Sequence, residues 1–307
     1  MVHSTLPRIA ALVDDYLLIW VLLSVGIGFA LPSIAVLTPL STLILAVMIG
    51  SVSLTLAPDR FRELRRQTLV TILIVQTGMP LLAFGIAQGL GLSPALTAGF
   101  VVLGAVTPEL VTPTMTELSG GDTVLATVVL LVVGFGTLML VPGVVTLFLG
   151  GSVAVDPTII ITQLTLAVVL PMSLAVAARS QWPDRIGAHD EIYSSIAGLM
   201  VILIIGIVTA ANASLVRDSG TVLLLVIVGA LVLNSGGYVA GWLVSRKFTR
   251  GERIAATLSV GMRDFAVAAA LLVGAGFPTS ATLPAVVFGI VEMTTSAGLA
   301  KWFRRQS

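Results

Sequence analysis

Apolar residues run along this chain in stretches of about twenty, separated by short polar clusters. That length matches one helical crossing of a bilayer. Ten such stretches can be read: 14–32, 36–57, 67–90, 94–118, 122–149, 157–178, 191–212, 219–245, 252–275 and 280–303. The pattern predicts an all-α polytopic membrane protein with ten transmembrane helices. Asp14 and Asp15 stand ahead of the first run and no small-residue cleavage site follows it, so no cleavable signal peptide is expected.

Two stretches break the pattern. The fourth contains "GAVTPELVTPTMTELSGGD" (104–122), with Pro108 and Pro113 and an acid, Glu109, beside the first proline. Proline in a helix interior removes a hydrogen bond and clashes with the preceding turn, so an unwound segment from Thr107 to Pro113 is expected. In lipid such backbone survives only against protein or a water-filled cavity. It is either a ligand-binding segment or a proline kink with no further role. "TMTE" (114–117) fits the S/T-x-x-E capping box and would restart the helix, which accounts for Glu117. The ninth stretch, "LSVGMRDFAVAAALL", sets Arg263 and Asp264 side by side after Gly261. A charge at mid-membrane costs about 2.5–3.5 kcal/mol, so such residues face an interior and pair. Neighbours in a helix point about 100° apart, so Glu109 or Glu292 is the expected partner of Arg263 rather than Asp264. A structural ion pair and a substrate or coupling role both remain open. Gln76 and Asn234 are polar groups in other spans, and a lone amide there is usually helix–helix adhesive.

Charge fixes the orientation. Arg8, Arg60, Arg62, Arg65, Arg66, Arg179, Arg185, Arg246, Lys247, Arg250, Arg253, Lys301, Arg304 and Arg305 all fall on one side of a ten-span chain, which is 14 of the 16 basic residues. By the positive-inside rule that side, with both termini, is cytoplasmic, and the cell membrane is the expected location. Glu109 and Asp264 are 155 residues apart, with an odd number of spans between them. The second half is therefore expected to be an inverted copy of the first, the arrangement in which transporters place sites on discontinuous helices near the midplane.

Composition then removes other classes. The chain is 57% hydrophobic and 10% charged, against about 25% charged in soluble domains. It has no cysteine and only two histidines, His3 and His189, so disulfides, thiolate metal sites and a zinc protease are excluded. No enzyme motif is present. A net charge of +1 gives no basis for a nucleic-acid partner.

Several stretches together resemble the bile acid:sodium symporter family, within the bile/arsenite/riboflavin transporter superfamily. These are "MIGSVSLTLAPDRFREL", "IVQTGMPLLAF", "TELSGGD", "LTLAVVLPMSLAV", "LNSGGYVAGWLVSR" and "SVGMRDFAVAAAL". The resemblance implies ten spans in two five-helix repeats, 1–149 and 150–307. It implies a panel of spans 1–2 and 6–7, and a core of spans 3–5 and 8–10 in which broken spans 4 and 9 cross. It also implies sodium-coupled uptake of a small organic anion, with no cofactor beyond the coupling ion, sodium or a proton, and it leaves the oligomeric state open. The arsenite branch relies on a cysteine, which this chain lacks.

The ligand positions depart from the family's. Where the family reads E-x-G-x-Q-N in span nine, this chain has Ser259, Arg263 and Asp264; its Ser-Asn in span four is Thr112-Pro113; two hydroxyl positions in span five are Ala126 and Leu130. The first sodium site is thus dismantled. Of the second, Gln76 remains, with carbonyls near Val260 and Met262. Arginine brings five donors and a permanent charge, so its guanidinium would sit where sodium sits. That predicts weakened or absent sodium dependence, with Glu109, Asp264 and Glu292 as candidate proton carriers. Alternatively, Asp264 and Glu109 rebuild a shifted sodium site. The substrate and ion positions are expected to be Glu109, Thr112, Pro113, Thr114, Ser259, Arg263 and Asp264, supported by Gln76 and Glu292. A non-transporting membrane sensor on the same fold is the other class.

Overall fold

Apolar side chains cannot satisfy backbone polar groups, so a chain in lipid closes its hydrogen bonds within helices. The computed structural model describes residues 16–56, 65–150, 155–218 and 220–305. Helices fill it, with no strand among the described residues. Arg8, Asp14, Asp15, Arg60 and Arg62 lie outside the described residues.

The principal elements are α1 (Leu17–Ala30), α2 (Pro32–Thr55), α3 (Arg66–Gly89), α4a (Pro94–Ala105), α4b (Thr112–Leu118), α5 (Thr123–Leu149), α6 (Pro157–Gln181), α7 (Asp190–Ala211), α8 (Gly220–Val244), α9a (Arg250–Gly261), α9b (Phe265–Gly274) and α10 (Leu283–Arg305). Among the described residues, eight helices are long and apolar enough to cross a membrane, counting α9a with α9b as one; Ile19–Ala30 and Pro94–Ala105 are shorter apolar helices. Two helices carry local irregularities. α2 begins as a 3-10 segment, Pro32–Leu40, with Pro39 inside it. α6 widens to a π-turn at Thr165–Val169, just ahead of Pro171, whose ring excludes a regular bond to the preceding turn.

The helices sort by their packing. α7 lies on α1 and α2, and α2 lies on α6. Elsewhere α3 packs on α4a, α8 on α9a and α10, and α4b on α5. Helix α9 is the most thoroughly buried of the long helices, which suits the small residues of "AVAAALL" after its break. Close approach of α8 to α9a depends on Gly237. A Cβ there would stand 2.8 Å from both the Gly261 Cα and the Val260 carbonyl oxygen.

The start of α9a is held by a capping box. The Thr249 N–H donates to Glu252 Oε2 at 2.9 Å, and the Glu252 N–H donates to Thr249 Oγ1 at 3.4 Å. Glu252 Oε1 also accepts from Thr68 Oγ1 of α3 at 2.9 Å. Replacing Glu252 by alanine removes a cap and strands a buried hydroxyl. It is expected to lower stability by about 2–3 kcal/mol, read as a fall in the melting temperature of the detergent-purified protein. A variant melting with the parent would show that the box contributes nothing.

Candidate functional site

Both broken helices are interrupted by their own sequence. The α4a helix ends at Ala105 because Pro108 cannot extend it and biases Thr107 toward extended backbone. Val106 is extended accordingly, at φ −71°, ψ 173°. The helix restarts at Thr112, with Pro113 in the first turn, where its missing N–H has no cost. The unwound segment is therefore 106–111, and Pro113 belongs to the restart. The expected box at Thr114–Glu117 does not form. Val111 precedes the helix with no side-chain cap, and Thr114 and Glu117 lie inside α4b as exposed residues. Thr114 is accordingly the one proposed site residue that the fold turns away from the crossing.

In α9 the break is shorter. Met262 is extended at φ −83°, ψ 133°, and Asp264 caps α9b by accepting the Val267 N–H on Oδ1 at 2.8 Å. The two breaks meet main chain to main chain: the Asp264 N–H donates to the Thr107 carbonyl at 3.0 Å. Beside this bond, Thr112 Oγ1 lies 3.8 Å from Met262 Sδ, and the Glu109 carboxyl faces the N–H groups of Leu110 and Phe265. Glu109 thus adds a second acid to the N-terminus of α9b.

Flanking helices hold the carbonyl end of α9a. Gln76 of α3 donates its amide to the Ser259 carbonyl at 2.7 Å, and Asn234 of α8 donates to the Gly261 carbonyl at 3.2 Å. Asn234 is in turn oriented by Thr295 Oγ1 of α10 at 2.7 Å. Asn234 is therefore part of the break, a role the sequence reading missed. The run of small residues after it, "SGG", was the available signal, because it lets the amide reach a neighbouring backbone.

Arg263 lies at the centre and is 1% exposed. Its Nη1 donates to the Val106 carbonyl at 3.2 Å, and its main-chain N–H donates to Glu292 Oε2 at 2.9 Å. The expected side-chain ion pair with Glu109 or Glu292 is absent. Among the described residues the one ion pair within 4.0 Å is Arg179–Asp190, at 2.7 Å. The physical reason is competition: each carboxyl near Arg263 has main-chain N–H groups to bind, and the guanidinium instead meets a carbonyl freed by the α4 break. It meets Val106 on the opposite helix, not the α9a carbonyls where the sequence placed it.

Several buried polar atoms at the crossing have no partner. They are the acceptors Gln76 Oε1, Glu109 Oε2, Asp264 Oδ2 and Glu292 Oε1, the hydroxyls of Thr107 and Ser259, and the donors Arg263 Nε and Nη2. Buried polar groups in proteins are normally satisfied, so this concentration makes the crossing the candidate binding site. No cluster of three or more His, Cys, Asp or Glu suited to a metal exists among the described residues. Neutral oxygens such as Gln76 Oε1 and Ser259 Oγ are, however, the hard donors an alkali cation takes. Val260 and Met262 are both buried at the end of α9a beside them.

A family model described as the Sodium Bile acid symporter family matches residues 42–219, more than half of the chain. An uncharacterized sodium-dependent transporter of Bacillus subtilis (strain 168) is 25% identical over 295 residues, covering 94% of this chain and 90% of the relative. A probable sodium/metabolite cotransporter, chloroplastic, of Oryza sativa subsp. japonica is 25% identical over 267 residues; the match covers 85% of this chain and 63% of the rice protein. These relatives are named as transporters, not enzymes.

Proposed function

The chain belongs to the sodium bile acid symporter family, and from that premise we propose that it is a sodium-coupled secondary transporter of a small organic anion. The observation that carries this reading is the set of unpaired buried polar atoms, two donors of one guanidinium among them, where the two broken helices cross. Three carboxyl groups, Glu109, Asp264 and Glu292, share the crossing with one arginine. An anionic substrate entering there adds to the negative charge, and a co-bound cation offsets it. Anion and cation then favour each other's binding, which is the thermodynamic requirement for symport. Gln76 Oε1 and Ser259 Oγ, with carbonyls near Val260 and Met262, are the groups that would receive sodium. Glu109, Thr112 and Pro113 would line the other side.

In this reading the eight long helices and the two shorter apolar ones make ten spans, with repeats 1–149 and 150–307 inverted relative to each other. Helices α1, α2, α6 and α7 form the panel, and α3–α5 with α8–α10 form the core. Alternating access moves one against the other around the crossing. The basic residues place both termini in the cytoplasm of a cell whose membrane holds the protein.

Thermal unfolding in detergent tests the cation directly, with potassium or choline keeping ionic strength constant. A ligand specific to the folded state adds about 2.7 kcal/mol at a hundred times its dissociation constant. A saturable rise with sodium and none with potassium is expected. Identical curves in the two salts would sink the sodium assignment. A second reading is favoured by the guanidinium already seated on the Val106 carbonyl. There Arg263 supplies a fixed positive charge from the Val106 side of the crossing, and Glu109, Asp264 and Glu292 exchange protons in place of sodium; it expects melting that ignores sodium but responds to pH.

A further inference from the structure

We infer that the free edge of Arg263 is the anchor for a planar monocarboxylate on the transported substrate, held bidentately by Nε and Nη2. The inference rests on the transporter reading and names the substrate class that the crossing selects.

A guanidinium carries five donors in a rigid fork. In Arg263, Nη1 is engaged by the Val106 carbonyl. The donors left without a partner are Nε and Nη2, which lie along one edge of the guanidinium plane and point the same way. Two parallel N–H groups are the complement of a carboxylate's two oxygens, and such fork-to-fork pairs are among the strongest charge-assisted hydrogen bonds. The side chain is 1% exposed, so bulk solvent does not reach this edge. The acids of the site do not occupy it either. Glu292 holds the Arg263 main-chain N–H through Oε2, Asp264 holds the Val267 N–H through Oδ1, and Glu109 faces Leu110 and Phe265. None reaches within 4.0 Å of the guanidinium.

The single guanidinium sets the charge of the guest. It balances one negative charge, and a second would be buried beside the carboxyl groups of Glu109, Asp264 and Glu292 with no counter-ion. A dianionic phosphate is therefore disfavoured against a monoanion. A sulfonate matches the fork but buries a third oxygen without a donor. A carboxylate satisfies the Nε–H and one Nη2–H and leaves no oxygen of its own without a donor. An amide of the same shape places an NH2 group against an N–H and loses the pair.

The test uses the full chain, purified in detergent with sodium present. Its melting temperature is followed against sodium monocarboxylates from acetate to octanoate and benzoate, each compared with its primary amide. At least one carboxylate is expected to stabilise the protein saturably while its amide does not. Arg263→Lys keeps the charge but not the fork and is expected to weaken carboxylate binding about 10- to 100-fold. Arg263→Gln is expected to abolish it. Equal carboxylate binding in the glutamine variant, or in the lysine variant if the former does not purify as a single species, overturns the proposal. So does an amide that binds as well as its acid. So does a protein that responds to sodium but to no carboxylate in the series. Loss of both sodium and carboxylate responses in the parent strikes instead at the transporter reading beneath it.

Discussion

Gly237→Val is expected to cost about 2–6 kcal/mol of stability and to abolish transport. At this position the new Cβ alone would stand 2.8 Å from the Gly261 Cα and from the Val260 carbonyl oxygen. Both obstacles are backbone, so no side chain can rotate away. Overpacking of this kind costs about 1–3 kcal/mol by itself. The displacement also carries α8 away from α9a, and with it the Asn234 amide that satisfies the Gly261 carbonyl. An orphaned buried carbonyl adds about 1–3 kcal/mol. The neighbouring Gly236→Val is the control, because a Cβ there meets only the Leu82 Cδ2, at 3.2 Å. That methyl ends a flexible side chain and can yield. Thermal unfolding of the two variants, together with their elution as single species, reads the difference. Equal stability of both would show that the close approach of α8 does not hold the break of α9 in place.

Asp264 separates structure from function when its two oxygens are considered apart. Oδ1 caps α9b through the Val267 N–H, and Oδ2 has no partner. Asp264→Ala removes the cap and is expected to lower stability by about 1–2 kcal/mol. Asp264→Asn keeps an oxygen for the cap and removes only the charge, so its cost is expected to stay below about 1 kcal/mol. Sodium-driven uptake into liposomes is nevertheless expected to fall to the level of empty vesicles in both variants, because the crossing loses an acid that offsets the coupling cation. An asparagine variant that transports like the parent would assign Asp264 to helix capping alone.

How far these features could be read from the sequence depended on the range of the interaction. The limits of the fourth run, 94–118, agree with α4a and α4b, because Ser93-Pro94 opens a helix and Gly120 follows its end. The break in that run was legible from Pro108. The restart was misplaced because "TMTE" and "TRGE" fit the same capping pattern and only the second is a box. What distinguishes them is local: Pro113 already fits the first turn of a helix, leaving Thr114 inside it. The partners of Arg263, Gln76 and Asn234 were not legible. Each binds a carbonyl on another helix, and a carbonyl freed by a break leaves no mark in residue type. Charge pairing suggested acid partners for Arg263, yet a main-chain oxygen took its side-chain donor. The π-turn in α6 likewise had no signal beyond Pro171.

Among the contacts that join the two broken helices, one runs from main chain to main chain, the bond from the Asp264 N–H to the Thr107 carbonyl. Neither atom belongs to a side chain. An alanine scan through 106–109 and 262–265 would leave both atoms in place, so the joint itself is silent to ordinary mutagenesis; exchanging the amide at 264 for an ester would address it. Such a joint also frees the residues around it. Side chains at the crossing can be exchanged without dismantling the scaffold that presents them. A fold held together in this way can acquire a new cargo by single substitutions, because the chemistry of recognition and the geometry of the crossing are written in different atoms.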